Sequence, residues 1–156
     1  MSVFLLCVTV AGTGVADAGP IAPREGWAIA QSGKTYSELL DALKAAIKDE
    51  GMFKVTEAGP TEAAKRRGIE IPGNRVIGVY RNDFAVRALQ ASTAAMIEAP
   101  MRFYVTEAPD GAGWLSYKQP SAVFAPYAAE GGMELATIGA ELDTIFAAIA
   151  ARALAD

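Results

Sequence analysis

Residues 101–118 read MRFYVTEAPDGAGWLSYK. Met101, Phe103 and Val105 alternate with Arg102, Tyr104 and Thr106, the two-residue period of a strand with one apolar face. Asp110-Gly111 follows, a dipeptide suited to a reversal because glycine takes positive φ without steric cost. The loop is slightly long and ends at Gly113. Trp114 to Lys118 returns as a second strand. Strands joined by so short a connection pair antiparallel. The hairpin points to an α+β fold, with helices packed on one face of a mainly antiparallel sheet, a two-layer sandwich.

The segments before the hairpin fit that plan. Trp27 to Gln31 is a short strand candidate. Thr35-Tyr36-Ser37-Glu38 has the T-x-x-E form of a capping box, in which each end residue satisfies an amide of the other. Behind it Tyr36, Leu39, Leu40, Leu43 and Ile47 share one helical face, and Gly51 supplies a left-handed stop. Met52 to Glu57 alternates as a half-buried strand, with Phe53 and Val55 on one side. Thr61 is placed to cap a short helix to Arg67, ended by Gly68. Pro72-Gly73-Asn74 forms a turn. Val76, Ile77, Val79 and Tyr80 make the nearly continuous apolar run of a central strand. Asp83 is expected to cap a helix reaching about Thr93.

After the hairpin, Ser121 to Tyr127 suits a short helix, and Gly131-Gly132 interrupts the chain. From Met133 on, Leu135, Ile138, Leu142, Ile145, Phe146, Ile149 and Ala153 recur at helical spacing. This alanine-rich helix is expected to lie across the sheet.

The chain has 156 residues, 14 basic and 18 acidic side chains, a net charge of −4 and a hydrophobic fraction of 52%. That length suits one domain with a proper core. There is no histidine. A Ser-His-Asp triad, a histidine-ligated zinc or haem and a histidine proton shuttle are therefore excluded.

Residues 1–18, MSVFLLCVTVAGTGVADA, are expected to be a signal peptide cleaved after Ala18. The apolar stretch from Val3 to Ala11 and the Ala16-Asp17-Ala18 site carry that reading, although no basic residue precedes Arg24. A buried first strand, Val3 to Val10, is the alternative. Residues 19–25 form a linker, and 26–156 a single α+β domain. Periplasmic or secreted localisation follows. Cleavage would also remove Cys7, the only cysteine, and with it any disulfide or thiolate chemistry.

The order and spacing of these elements resemble the domain of unknown function 302 family. The positions that carry the resemblance are Thr35, Glu38, Ala64, Lys65, Gly68, Ile69, Asn82, Pro100, Met101, Arg102, Asp110, Gly111, Tyr117 and Pro120. The match covers roughly residues 26–127. It implies a compact α+β domain, often a homodimer, with no assigned activity. The family commonly has a histidine after its second strand. Here that stretch is Glu57-Ala58-Gly59-Pro60, so any role of that histidine is lost in this chain.

Several side chains are candidates for function. Asn82, Asp83 and Arg87 meet at a strand-to-helix junction, where free amides suit an anion, but Asp83 would repel one and is better read as a cap. Glu57, Glu98 and Glu107 lie near strand ends, where carboxylates serve as acid–base groups or are simply solvated. Tyr117 and Tyr127 flank Pro120 and Pro126 and are placed either to line a small apolar pocket between the sheet and the last helix or to pack at a core edge. Met96 and Met101 are soft thioether donors or, more simply, core residues. Lys65-Arg66-Arg67 is the only basic cluster and suits a helix carboxyl end; no nucleic-acid partner is expected. The candidate ligand-binding set is Asn82, Arg87, Arg102 and Tyr117. No catalytic residue, metal or cofactor is assigned, and no stable membrane span is expected.

These readings give a non-enzymatic exported binding module for a small apolar ligand or protein partner, with a homodimer implied by the resemblance. One alternative is a hydrolase or isomerase in which Glu98 or Glu107 meets Tyr117, Lys118 or Arg102 within hydrogen-bond reach. The other is a purely structural interaction domain.

Overall fold

The computed structural model describes residues 21–155. The expected signal peptide, residues 1–18, and the first two linker residues lie outside the described residues. Ten elements follow: β1 (Trp27–Thr35), α1 (Tyr36–Asp49), β2 (Phe53–Ala58), α2 (Thr61–Arg66), β3 (Asn74–Tyr80), α3 (Asn82–Ala91), β4 (Met101–Glu107), β5 (Ala112–Lys118), α4 (Pro120–Phe124) and α5 (Ala128–Leu154). Short 3-10 turns at Ala94–Glu98 and Ala125–Tyr127 join the later elements.

The five strands form one sheet in the order β1-β5-β4-β3-β2, antiparallel throughout. The α+β expectation holds. The hairpin closes where it should: Gly111 has φ +83, and Asp110 Oδ1 accepts from the Ala112 amide at 3.0 Å. Strands β1 and β2 lie at opposite edges, so α1 carries the chain across the sheet and touches β1, β5, β4 and β2 on the way.

Helix α1 begins as its sequence requires. The Glu38 carboxylate accepts from the Thr35 amide at 2.9 Å, and Thr35 Oγ1 accepts from the Glu38 amide at 3.4 Å. It ends on Gly51, φ +73. There the Gly51 amide donates to Lys48 and the Met52 amide to Ile47, both at 3.0 Å, the paired bonds of a Schellman cap.

The core lies between the sheet and a layer built from α1, α3, α4 and α5. Leu39, Leu43 and Ile47 meet Ile77, Val79, Phe103, Val105 and Leu115 from the strands. Helix α5 adds Leu135, Ile138, Phe146 and Ile149, all essentially buried. Phe146 stacks on Phe103 with centroids 4.5 Å apart, and Tyr117 sits 5.2 Å from Phe103. Within α5, Gly132 adopts φ 52, ψ −145, so the glycine pair does interrupt the helix.

Some local expectations need correction. β1 runs on to Thr35 rather than stopping at Gln31, because an irregularity between Gln31 and Thr35 absorbs Ser32-Gly33-Lys34. Strand β2 is not half-buried: Phe53 is 66% and Val55 50% exposed, and a register shift between Lys54 and Thr56 breaks its alternation. Asp83 does not cap α3. Arg81 holds the N-cap position, and the Asp83 carboxylate accepts from Arg81 Nε at 2.9 Å, which also lowers its pKa. α3 ends at Ala91 instead of reaching Thr93. Thr61 does not cap α2 either; its hydroxyl donates to the Pro72 carbonyl at 3.2 Å, and Pro60 is the cap residue.

Candidate functional site

The pleat sends alternate side chains to opposite faces. On β4 and β5, Phe103, Val105, Leu115 and Tyr117 enter the core, so Arg102, Tyr104, Thr106, Trp114, Ser116 and Lys118 face away from the helices. Register extends this second face across the sheet. Ile29, Ser116, Tyr104, Val76 and Ala58 form one cross-strand row. Gln31, Trp114, Thr106 and Asn74 form the next. Trp27 pairs with Lys118, and Gly78 with Arg102. Both tryptophans of the chain therefore lie on the face that the helices leave open. Thr106 and Ser116 are buried on this face.

A groove of about 380 Å³ opens on this face and reaches the sheet end where β4 begins and β5 finishes. Trp27, Asn74, Val76, Arg102, Tyr104 and Lys118 line it from the sheet. Glu98, Met101, Tyr117 and Val123 complete it. A second lobe of about 280 Å³ shares Trp27, Glu98, Lys118 and Val123 and continues toward Glu25 and Pro126. The volume lies in the range of about 300–1,000 Å³ usual for small-molecule sites. By contrast, the space between α3, α5 and the sheet measures about 40 Å³, room for little more than a water or two.

Polar groups in the groove are mostly donors. The Phe103–Tyr117 pairing sets Arg102 opposite Lys118 on neighbouring strands. Neither cation forms an ion pair among the described residues. Lys118 Nζ lies 5.7 Å from the Trp27 ring, and the Arg24 guanidinium 5.2 Å from it. Asn74 Nδ2 donates to the Tyr104 phenol oxygen, leaving the phenol proton free to be given elsewhere. The single acid of the lining, Glu98, accepts from the Tyr127 hydroxyl at 2.8 Å. That bond, with burial, raises the Tyr127 pKa. Burial, with a smaller contribution from Asp143, does the same for Tyr117.

The structure brings together two of the four sequence candidates, Arg102 and Tyr117, in this groove. Asn82 and Arg87 do not line it. Asn82 is exposed on the first turn of α3. Arg87 clasps α3 to α5, donating to Glu141 at 2.6 and 3.2 Å and to Glu134 at 2.9 Å. These bonds hold the Glu141 pKa low. Glu57 binds Lys54 at 2.6 Å, Lys44 at 3.2 Å and Arg75 at 3.5 Å, and the two lysines, Lys54 first, lower its pKa. Glu107 accepts from the Gly73 amide at 2.6 Å and so ties β4 to the turn before β3. Neither Glu98 nor Glu107 hydrogen-bonds to Arg102, Tyr117 or Lys118. Met96 and Met101 pack against the core. Lys65, Arg66 and Arg67 are exposed at the end of α2.

Sequence reading missed Trp27, Asn74, Val76 and Tyr104 as lining residues. Part of the signal was present: alternation around Phe103 already puts Arg102 and Tyr104 on one face. What a single sequence does not show is that β1 and β3 flank the hairpin, and this is what adds Trp27, Asn74 and Val76.

No curated protein matches this chain. A crystal structure of an uncharacterised conserved DUF302 protein from Bacillus stearothermophilus shares the fold, with a TM-score of 0.73 at 17% identity. The likeness covers 83% of this chain and 99% of that one. Residues 28–149 match the family model described as Domain of unknown function DUF302, and the chain belongs to that family.

Proposed function

We propose that this domain is a non-enzymatic module that binds a small molecule in the groove on its open sheet face. One observation carries the reading: the groove concentrates Trp27, Tyr104, Arg102 and Lys118 on a rigid sheet. An apolar floor with a few convergent polar groups is the usual make-up of a ligand site. The binding reading is preferred to the enzymatic one because Glu98 and Glu107 hydrogen-bond to Tyr127 and to the Gly73 amide and not to Arg102, Tyr117 or Lys118. We further propose export, with cleavage after Ala18, and a homodimeric state, as the sequence resemblance implies.

Native mass spectrometry of the processed protein from its own cells tests these points together. The expected result is a dimer beginning at Gly19 that retains a small-molecule mass. A ligand-free chain would count against the binding module. An uncleaved chain starting at Met1 would overturn the localisation. A purely structural role has one observation in its favour: Phe53 and Val55 are exposed on the edge strand β2, where a partner strand could pair. A ligand-free dimer would support that second reading.

A further inference from the structure

The geometry points to an organic monoanion as the ligand class: a small carboxylate whose charged end lies between Arg102 and Lys118 and whose apolar body rests on Val76, Tyr104 and Trp27. This rests on the groove being a ligand site. The juxtaposition that carries it is two like charges facing each other on adjacent strands, with no acid pairing either of them among the described residues. Like charges directly opposite on a sheet are destabilising. The chain carries net charge −4, so nearby acid is not scarce in composition. Elsewhere Arg75, Arg81, Arg87 and Arg152 form ion pairs, whereas Arg24, Arg66 and Arg67, like Arg102, form none among the described residues; what sets Arg102 apart is a second unpaired cation directly opposite it. In the main groove the only acid is Glu98, which already accepts from Tyr127, and Glu25 lines only the adjoining lobe.

The donor balance agrees with the charge. Arg102 and Lys118 donate only. The Tyr104 phenol accepts from Asn74 and keeps its own proton to give. A ligand rich in acceptors satisfies all three, and a carboxylate takes a guanidinium and an ammonium in charge-assisted bonds. In the main groove two cations and one carboxylate leave one uncompensated positive charge, and Arg24 and Glu25 beside it cancel, so a monoanion neutralises the site. The apolar part of the lining, Val76 with the Trp27 and Tyr104 rings, favours an organic anion over free phosphate, which would leave that surface uncovered.

The test is a titration of the full processed chain with benzoate, phenylacetate and hexanoate, each beside its neutral amide, and with inorganic phosphate. Binding is read by ¹⁵N NMR of the two indole N–H groups. Trp27 lines the groove, and Trp114 shares the sheet face but does not line it. The expected result is that at least one carboxylate shifts the Trp27 signal and leaves Trp114 in place, while its amide binds about tenfold more weakly or worse. Arg102→Gln and Lys118→Gln should each weaken that carboxylate by about tenfold and leave the free protein no less stable to heat, since each removes one of two opposed charges. Amides that shift Trp27 as well as the acids do would overturn the anion and leave the binding module standing. Phosphate alone producing the shift would overturn the organic monoanion. No probe shifting Trp27, together with no mass retained on protein from its own cells, would remove both readings.

Discussion

Gly51 stands at φ +73 with nothing within 4 Å of the place a Cβ would take. Space is therefore no obstacle to a side chain there; backbone conformation is. A left-handed residue other than glycine costs about 1–2 kcal/mol. Gly51→Ala should lower stability by about that amount, seen in urea unfolding as a lower midpoint at unchanged slope. An unchanged midpoint would mean that the cap relaxes into another conformation. Glu57 gives a residue-scale prediction in pH. Its pKa is lowered in the folded state, first by the Lys54 hydrogen bond and then by Lys44. A lowered carboxylate pKa contributes stability above the unfolded value, and that contribution is lost as pH falls through the folded value. Glu57→Gln should accordingly cost about 1 kcal/mol at pH 7, the scale of a partly exposed ion-pair cluster. Variant and parent should converge under acid conditions, where Glu57 is protonated and its partners gain nothing from it. A difference that persists unchanged into acid would show that the loss came from packing and not from charge.

At the scale of elements, α5 is held to the sheet by aromatic packing and to α3 by a charge clasp, and the two differ in worth. Phe146 is fully buried and touches both Phe103 and Tyr117. Phe146→Ala removes a large core side chain and should cost about 3–5 kcal/mol. Arg87 lies partly exposed between Glu134 and Glu141. Arg87→Met should cost about 1 kcal/mol or less, because exposed pairs are screened by water. Chemical denaturation of both variants checks the ranking, and a larger loss from Arg87→Met would reverse it. The Arg87 variant should also keep full ligand binding, since Arg87 lies outside the groove. This is where sequence and structure part. Strong local signals were legible: the Thr35–Glu38 box, the Gly51 stop, the Asp110-Gly111 hairpin and the heptad-like run of α5. Weaker ones gave way to competing side-chain partners, one local and one tertiary. Asp83 looked like a cap, but the neighbouring Arg81 takes its carboxylate. Arg87 looked like a ligand residue, but its two partners lie 47 and 54 positions away, on a helix whose placement no local pattern gives. Arg102 and Tyr117 were legible because both lie on the hairpin, the one tertiary contact readable from the sequence.

Across the whole molecule, one sheet face is sealed by helices and the other is open, and the strands are unequally protected as a result. β4 lies between β3 and β5, with Phe103 and Val105 fully buried beneath it. β2 is an edge, hydrogen-bonded on one side only, with a shifted register and mostly exposed side chains. The adjoining α2 buries no residue at all. Local opening follows such differences in burial and pairing. In hydrogen exchange on the isolated subunit, Phe53–Ala58 and Thr61–Arg66 should therefore exchange well ahead of Met101–Glu107, which should open only with global unfolding. Both edges carry an irregularity and a lysine, Lys34 on β1 and Lys54 on β2, features that discourage strand addition. What distinguishes β2 is exposed apolar surface, Phe53 and Val55, for an incoming strand to cover. Exchange measured against protein concentration decides whether a second copy uses that edge. If protection of Phe53–Ala58 rises with concentration while the Trp27 groove remains open to ligand, dimer formation and ligand binding occupy separate parts of the sheet. If protection instead rises at Trp27 and Lys118, a second copy covers the groove, and the two activities compete for one surface.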